Sequence, residues 1–219
     1  MRWEESDGVR WLEAELPGAR AVFSTRSAGS LKESRAPLAR AIGVDPDRIV
    51  SGQQVHGAEL AVHDGPGAGT PEVDGHVLRA EGPVALVYTA DCLPVALSGP
   101  GGAAVLHCGW RGLAAGIVAR GAEAVAATHA AIGPGIGPCC YEVGAEVLAP
   151  FERLGPGIAA GRMLDLPEVT GQLLRRAGVG EIESAGLCTR CEPDLFFSHR
   201  RDGGPGRQGG LVWLEQGKA

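Results

Sequence analysis

The chain has 219 residues, of which 44% are hydrophobic and 21% charged, and its formal net charge is −6. That length and apolar content suit one domain with a sizeable core, and the acidic balance argues against a general nucleic-acid binder, whose phosphate contacts need clustered Lys and Arg. Gly (35 residues) and Pro (15) argue against a predominantly helical bundle. The opening Met1-Arg2-Trp3-Glu4-Glu5 is charged where a secretory signal is apolar, and no apolar run is long enough to cross a bilayer. A cytoplasmic protein with no membrane partner is expected. Its cysteines at 92, 108, 139, 140, 188 and 191 then read as metal-binding or catalytic groups in preference to disulfides.

In chain order, Ala19–Ser24 reads as a strand ending at Thr25-Arg26, and residues 35–43 as a short helix closed by Gly43. Strand signals follow at Ile49–Val55 and Ala58–Val62, with a turn-rich loop at Gly65–Gly69. Pro83–Thr89, Leu93–Leu97 and Gly102–Leu106 are apolar runs bounded by Gly and Pro, which favours strands over buried helix. Leu113–Thr128 is the best helix, with Leu113, Ile117, Val118, Ala122 and Val125 on one face. A strand at Ala130–Ile132, helices at Val143–Leu154 and Pro167–Ala177, and strands at Glu181–Ala185 and Leu211–Leu214 complete the pattern. The Arg-rich segment Ser198–Arg207 is a polar loop. The class is mixed α/β, of the α+β or layered kind.

Two of the six histidines stand out: His56 in Gln53-Gln54-Val55-His56-Gly57, and His107 at the end of Ala103-Ala104-Val105-Leu106-His107. An antiparallel pair joined by the Gly99–Gly102 turn brings Cys92 and His107 together at its open end. One Cys and two His suit tetrahedral Zn²⁺ with one place left for water or substrate, which is the pattern of a catalytic site. Asp91 is a candidate acceptor or proton carrier beside that site. The plainer reading of the same residues is a buried thiol and two hydrogen-bonded core histidines. Arg111 opens the long helix, where a guanidinium at a helix N-terminus can orient an anion such as phosphate, or simply pair with a carboxylate. Among Arg200, Arg201 and Arg207 a phosphate site competes with a solvated loop. Cys188-Thr189-Arg190-Cys191 has metal-knuckle or redox spacing but no second pair at matching spacing, so it reads as structural thiols.

Five motifs occur in one order: Gln54-Val55-His56-Gly57, Ala90-Asp91-Cys92-Leu93-Pro94, His107-Cys108-Gly109-Trp110-Arg111-Gly112, Ile136-Gly137-Pro138-Cys139-Cys140-Tyr141-Glu142-Val143, and Phe196-Phe197-Ser198-His199-Arg200-Arg201-Asp202. Together they resemble the YfiH-type purine nucleoside phosphorylases, once described as polyphenol oxidases or laccase-domain proteins, over about Phe23 to Leu214. The resemblance implies a single-domain layered α-β-β-α sandwich over residues 1–219 and zinc held by His56, Cys92 and His107. It further implies phosphorolysis of adenosine, inosine and S-methyl-5′-thioadenosine, with adenosine deamination beside it. It puts Arg26 and Cys139 near a nucleoside pocket, in a monomer or homodimer. The chain departs from the family pattern at Cys108, where a small residue is usual. It also departs after Ser24-Thr25-Arg26, where the segment forming the pocket rim is short.

Alternatives from other classes stay open. Copper in the same site would give weak phenol oxidation, although no His-x-His pair exists for a multicopper centre. Cys92 and His107 would make a metal-free thiolate dyad of hydrolase type, on a fold resembling bacterial toxin deamidases. A zinc-stabilised binding protein would need Cys108 as a fourth ligand, which strand alternation directs to the opposite face from His107.

Overall fold

The computed structural model describes residues 1–65 and 70–215; the expected loop at 65–69 lies, beyond Gly65, outside the described residues. The strands are β1 (Arg2–Ser6), β2 (Val9–Leu16), β3 (Ala19–Ser24), β4 (Ile49–Val50), β5 (Leu60–His63), β6 (Gly75–Leu78) and β7 (Val84–Thr89). They continue with β8 (Leu93–Gly99), β9 (Gly102–Cys108), β10 (His129–Ile132), β11 (Ala159–Ala160), β12 (Met163–Leu164), β13 (Glu181–Ser184) and β14 (Gln208–Leu214). The helices are α1 (Ala36–Ala41), α2 (Trp110–Ala114), α3 (Ile117–Val125), α4 (Ala145–Leu148), α5 (Leu166–Arg176) and α6 (His199–Asp202).

Two six-stranded sheets carry the fold, ordered β1-β2-β3-β14-β7-β4 and β13-β10-β8-β9-β6-β5. The pairs β4·β7, β5·β6 and β10·β13 are parallel and the other pairs of these sheets antiparallel. Between the sheets lies a core rich in small side chains: Ala14, Ala19, Ala21, Ala85, Ala96, Ala103 and Ala131 meet there with Phe23, Val87, Val105 and Val212. Alanines on both inner faces let the sheets approach closely. The alternate residues Val22, Val84, Leu86 and Leu211 pack outward under α1 with Leu38 and Ala39. Val95, Leu97, Ala104 and Leu106 pack outward on the other side against α3 and α5. The layers are therefore α-β-β-α. Strands covered on both faces need no polar alternation, which is why β8 and β9 read as continuous apolar runs.

Most expected elements are present within a residue or two, and the differences have local causes. The expected helix Leu113–Thr128 is broken: α2 stops at Ala114, and Gly116 takes φ 89, a left-handed conformation that glycine adopts without strain. Val143–Leu154 holds only one α-turn before a 3₁₀ segment at 149–154, because Pro150 cannot donate to a continuing helix. Regular pairing of the expected strand Ile49–Val55 ends at Val50. The polar loop at 198–207 contains the helical turn α6, capped by the Ser198 hydroxyl, which accepts from Arg201 N–H. The hairpin β1–β2 and the short strands β6, β11 and β12 had no signal of their own. Among the described residues no helix is long and apolar enough to cross a membrane.

The helix α5 is capped by Asp165, whose carboxylate accepts from Glu168 N–H at 2.9 Å, and it buries Leu166, Val169 and Leu174 at helical spacing. It lies on the outer layer away from the histidines. Asp165→Ala should therefore cost about 1 kcal/mol in denaturant unfolding and leave ligand binding unchanged.

Candidate functional site

The hairpin β8–β9 turns at Gly99–Gly102, and its register sets Leu93 opposite Cys108 and Pro94 opposite His107. Cys92 immediately precedes β8 and shares Pro94's face, so its thiol reaches His107 diagonally across the pair. Cys108, one residue on, points the other way into the core beneath the helices, and burial pushes its thiol well above the ordinary range. It is absent from the donor set, as strand alternation requires.

His56 lies in the loop before β5, the edge strand two places from β9. The loop carrying it is held by Asp74, which has no exposed surface. The Asp74 carboxylate accepts from the backbone N–H groups of Val55 (3.1 Å), His56 (2.9 Å) and Gly57 (2.7 Å). The same carboxylate meets His107 Nδ1 at 2.8 Å. Successive N–H groups converging on one anion form a nest, and the turn puts His56 at φ 61. With Nδ1 engaged by Asp74, Nε2 is the ring nitrogen His107 can offer a ligand. The His56 and His107 rings meet edge-on with centroids 4.8 Å apart. A donor atom from each of His56, Cys92 and His107 lies within 4.8 Å of the other two. Gly109 leaves the room for this: a Cβ there would stand 2.9 Å from Cys92 Sγ.

Burial alone would raise the Cys92 thiol, but the charge of His107 and hydrogen bonds from His107 and His56 outweigh it and bring the thiol down to about 6. Burial would likewise lower His107, yet the Cys92 thiolate and Asp74 lift it to about 9. Asp74 stays below the usual carboxylate range despite its burial, because His107 and the backbone donors favour the anion. Two imidazoles and one thiolate are borderline-soft donors of the kind Zn²⁺ takes, and three of them leave a coordination place open. The residues fit such an ion.

The three donors border a cavity of about 470 Å³, also lined by Tyr88, Ala90, Asp91, Ile136, Tyr141, Lys32, His199, Arg200 and Arg207. Gln54 secures its floor: its side-chain amide bonds both backbone groups of Tyr88, at 2.7 and 2.8 Å. Asp91 is present at φ 88, and its carboxylate accepts from Thr189 Oγ1 (2.7 Å) and Arg200 N–H (2.6 Å). It thus anchors the turn that presents His199 and Arg200. The other expected residues stand elsewhere. Arg111 is exposed, with its guanidinium 4.6 Å above the Trp110 ring. Arg26 lies over Phe197 at 4.8 Å and bonds the Pro193 carbonyl, in a separate small cleft. Cys139 is exposed and its sulfur gathers with those of Cys140, Cys188 and Cys191. The pair that Cys188 and Cys191 lacked at matching spacing is this vicinal one. Of the arginines near the C-terminus, Arg200 and Arg207 reach the cavity, while Arg201 is tied to Asp202 and to the Phe196 and Thr189 carbonyls. Asp74 went unread in the sequence, because β6, the strand it directly precedes, carried no signal of its own.

A family model described as "Multi-copper polyphenol oxidoreductase laccase" matches residues 24–215. The chain belongs to that family. It is 36% identical over 230 residues to a purine nucleoside phosphorylase of Streptomyces coelicolor, covering 98% of this chain and 93% of that one. It is 34% identical over 187 residues to the purine nucleoside phosphorylase YfiH of Escherichia coli, covering 80% and 77%. Among solved structures, the hypothetical protein YfiH of Bacillus licheniformis superposes with a TM-score of 0.85 at 27% identity, covering 97% and 99%. YlmD of Geobacillus stearothermophilus gives 0.82 at 28%, covering 98% and 99%.

Two outcomes follow from the charge arrangement. Asp74→Asn removes the anion that orients His107 and closes the His56 loop, so metal affinity should fall on the order of 10–100-fold, read by chelator competition. A metal ion must also displace protons from its ligands. Between about 6 and about 9 the Cys92–His107 pair holds one proton, and below about 6 a second. Apparent affinity should therefore climb about tenfold per pH unit across that interval, more steeply below it, and level off above it.

Proposed function

We propose that this chain is a zinc-dependent purine nucleoside phosphorylase acting on adenosine, inosine and S-methyl-5′-thioadenosine, with accompanying adenosine deamination. The observation that carries the reading is the convergence of His56, Cys92 and His107 on a pocket with cationic groups along its wall. The names of the relatives in Streptomyces and Escherichia support it.

The cavity of about 470 Å³ has room for a small ligand of nucleoside size. Tyr88, Tyr141 and Ile136 offer apolar faces for a purine ring. Lys32, Arg200 and Arg207 offer charge for phosphate. Arg200 is preorganised: its backbone N–H is held by Asp91, its guanidinium donates to Glu142 O at 2.9 Å and lies 5.4 Å from the Tyr141 ring centroid. In phosphorolysis a phosphate oxygen forms the bond to ribose C1′ as the C1′–N9 bond breaks, and its electron pair leaves with the purine, which gains a proton. Holding phosphate and base on opposite sides of that carbon lowers the entropic part of the barrier. A zinc ion on the three donors would supply a Lewis acid for a phosphate oxygen or for the water that deamination consumes. Asp91 acts by position, fixing the turn that bears His199 and Arg200. Arg26 and Arg111 act from outside the cavity wall, Arg26 by bracing the loop at 193–197.

The family description favours a second reading, copper-dependent phenol oxidation. Among the described residues, the donor cluster containing imidazoles is this one, and the other is all sulfur. A single copper in the three-donor site is the form this reading takes here.

The test is a nucleoside panel run with and without phosphate on protein of measured metal content. Free base and ribose 1-phosphate should form only with phosphate, on zinc-loaded protein. His56→Ala should lose the ion and at least about a thousandfold in kcat/KM, the scale of several kcal/mol of charge stabilisation. Phosphorolysis retained by ion-free His56→Ala, or phenol oxidation that tracks copper content, would overturn the assignment.

A further inference from the structure

The strands β10 and β13 are parallel neighbours, so both chains leave the same end of the sheet side by side. Past their ends Gly135 bridges Cys188 in parallel register, and Thr189 N–H donates to Gly135 O at 2.9 Å. This brings the Cys139-Cys140 turn against the Cys188–Cys191 turn. All four sulfurs lie within 4.8 Å of one another. Cys191 Sγ stands 3.5 Å from Cys139 Sγ and 3.4 Å from Cys140 Sγ.

These spacings are too long for a disulfide, whose sulfurs sit at about 2.05 Å. They are close to the edge of a tetrahedron of sulfurs around one zinc, about 3.8 Å for Zn–S bonds of about 2.3 Å. Four neutral thiols gain little from contact, since S–H is a weak donor. Two of the four sulfurs also meet donors from the surrounding chain. The Gly137 N–H donates to Cys188 Sγ at 3.3 Å, and the Arg190 guanidinium hydrogen-bonds Cys140. The turn Cys188-Thr189-Arg190-Cys191 is closed by Cys191 N–H and Glu192 N–H on the Cys188 carbonyl, at 3.1 and 3.2 Å. That fold-back aims both sulfurs of a C-x-x-C pair at one point.

We propose that Cys139, Cys140, Cys188 and Cys191 form a second, four-thiolate zinc site, closed and structural, separate from the three-donor site at His56. Redox-inert tetrahedral zinc suits an all-sulfur set. Its consequence is mechanical. The knuckle carries Thr189, whose hydroxyl donates to Asp91 at 2.7 Å, and its Thr189 and Arg190 carbonyls accept from Arg201 at 2.8 and 3.1 Å. The other turn leads into Tyr141, a wall of the cavity. The ion cross-links two irregular segments that otherwise meet through a few backbone hydrogen bonds.

This proposal does not depend on the phosphorylase reading, and its test separates the two. Full-length protein purified anaerobically without added metal is analysed for zinc, iron and copper per chain, as wild type, His56→Ala and Cys139→Ser/Cys191→Ser. We expect two zinc equivalents in wild type and one in each variant. The zinc left in His56→Ala should be released by an organomercurial as the four thiols of this cluster, and not Cys92 or Cys108, are modified. Cobalt substitution of His56→Ala should give the intense thiolate-to-metal charge-transfer bands of tetrathiolate coordination, independently of whether the serine variant folds. A His56→Ala protein with four free thiols and no zinc, with iron in its place, or with a disulfide among these cysteines by mass spectrometry, would overturn the proposal.

Discussion

One buried carboxylate holds the three-donor site together. Asp74 has no exposed surface, and such an anion is costly unless every lone pair is used. Its side chain gathers three consecutive N–H groups of the His56 loop and the His107 ring. Its backbone carbonyl accepts from His107 N–H at 2.7 Å. Each half of the arrangement needs the other: the loop supplies the hydrogen bonds that keep the carboxylate charged, and the carboxylate places His56 at a positive φ and fixes which nitrogen His107 leaves free.

The pocket sits where the two sheets exchange strands. The chain passes from β7 in one sheet to β8 in the other through Ala90-Asp91-Cys92, and all three residues line the cavity. The turn α6, which leads back into β14 beside β7, supplies His199 and Arg200. Close packing along an alanine-rich seam resists deformation, so side chains from six separate segments keep their spacing without a continuous element joining them.

The two donor clusters differ in composition and in setting. In one, two imidazoles stand beside a single cysteine sulfur, and Gly109 leaves space beside it. In the other, four sulfurs converge from two turns, with no imidazole among them and none of the four residues lining the cavity. Openness suits chemistry and closure suits bracing. The hydrogen bond from Thr189 to Asp91 links the four-cysteine cluster to the pocket wall.

What the sequence by itself determined was local. Apolar runs, the Gly99–Gly102 turn and the helical periodicity of 117–125 marked the layers, and the turn with strand alternation put Cys92 and His107 on one face and Cys108 on the other. Such features depend on neighbours a few residues away, which the chain order already specifies. Edge hairpin β1–β2 escaped because its first strand buries almost nothing and so carries no apolar alternation. The helix break escaped because a lone glycine within an apolar period reads as tolerated until its φ is known. Only the tertiary structure decided that Asp74 would serve both histidines, that Arg200 and Arg207 would face the cavity while Arg26 and Arg111 would not, and that Cys139 and Cys140 would meet Cys188 and Cys191. These contacts join segments remote along the chain, and they exist because the order of strands in a sheet, which no local pattern encodes, makes distant residues neighbours.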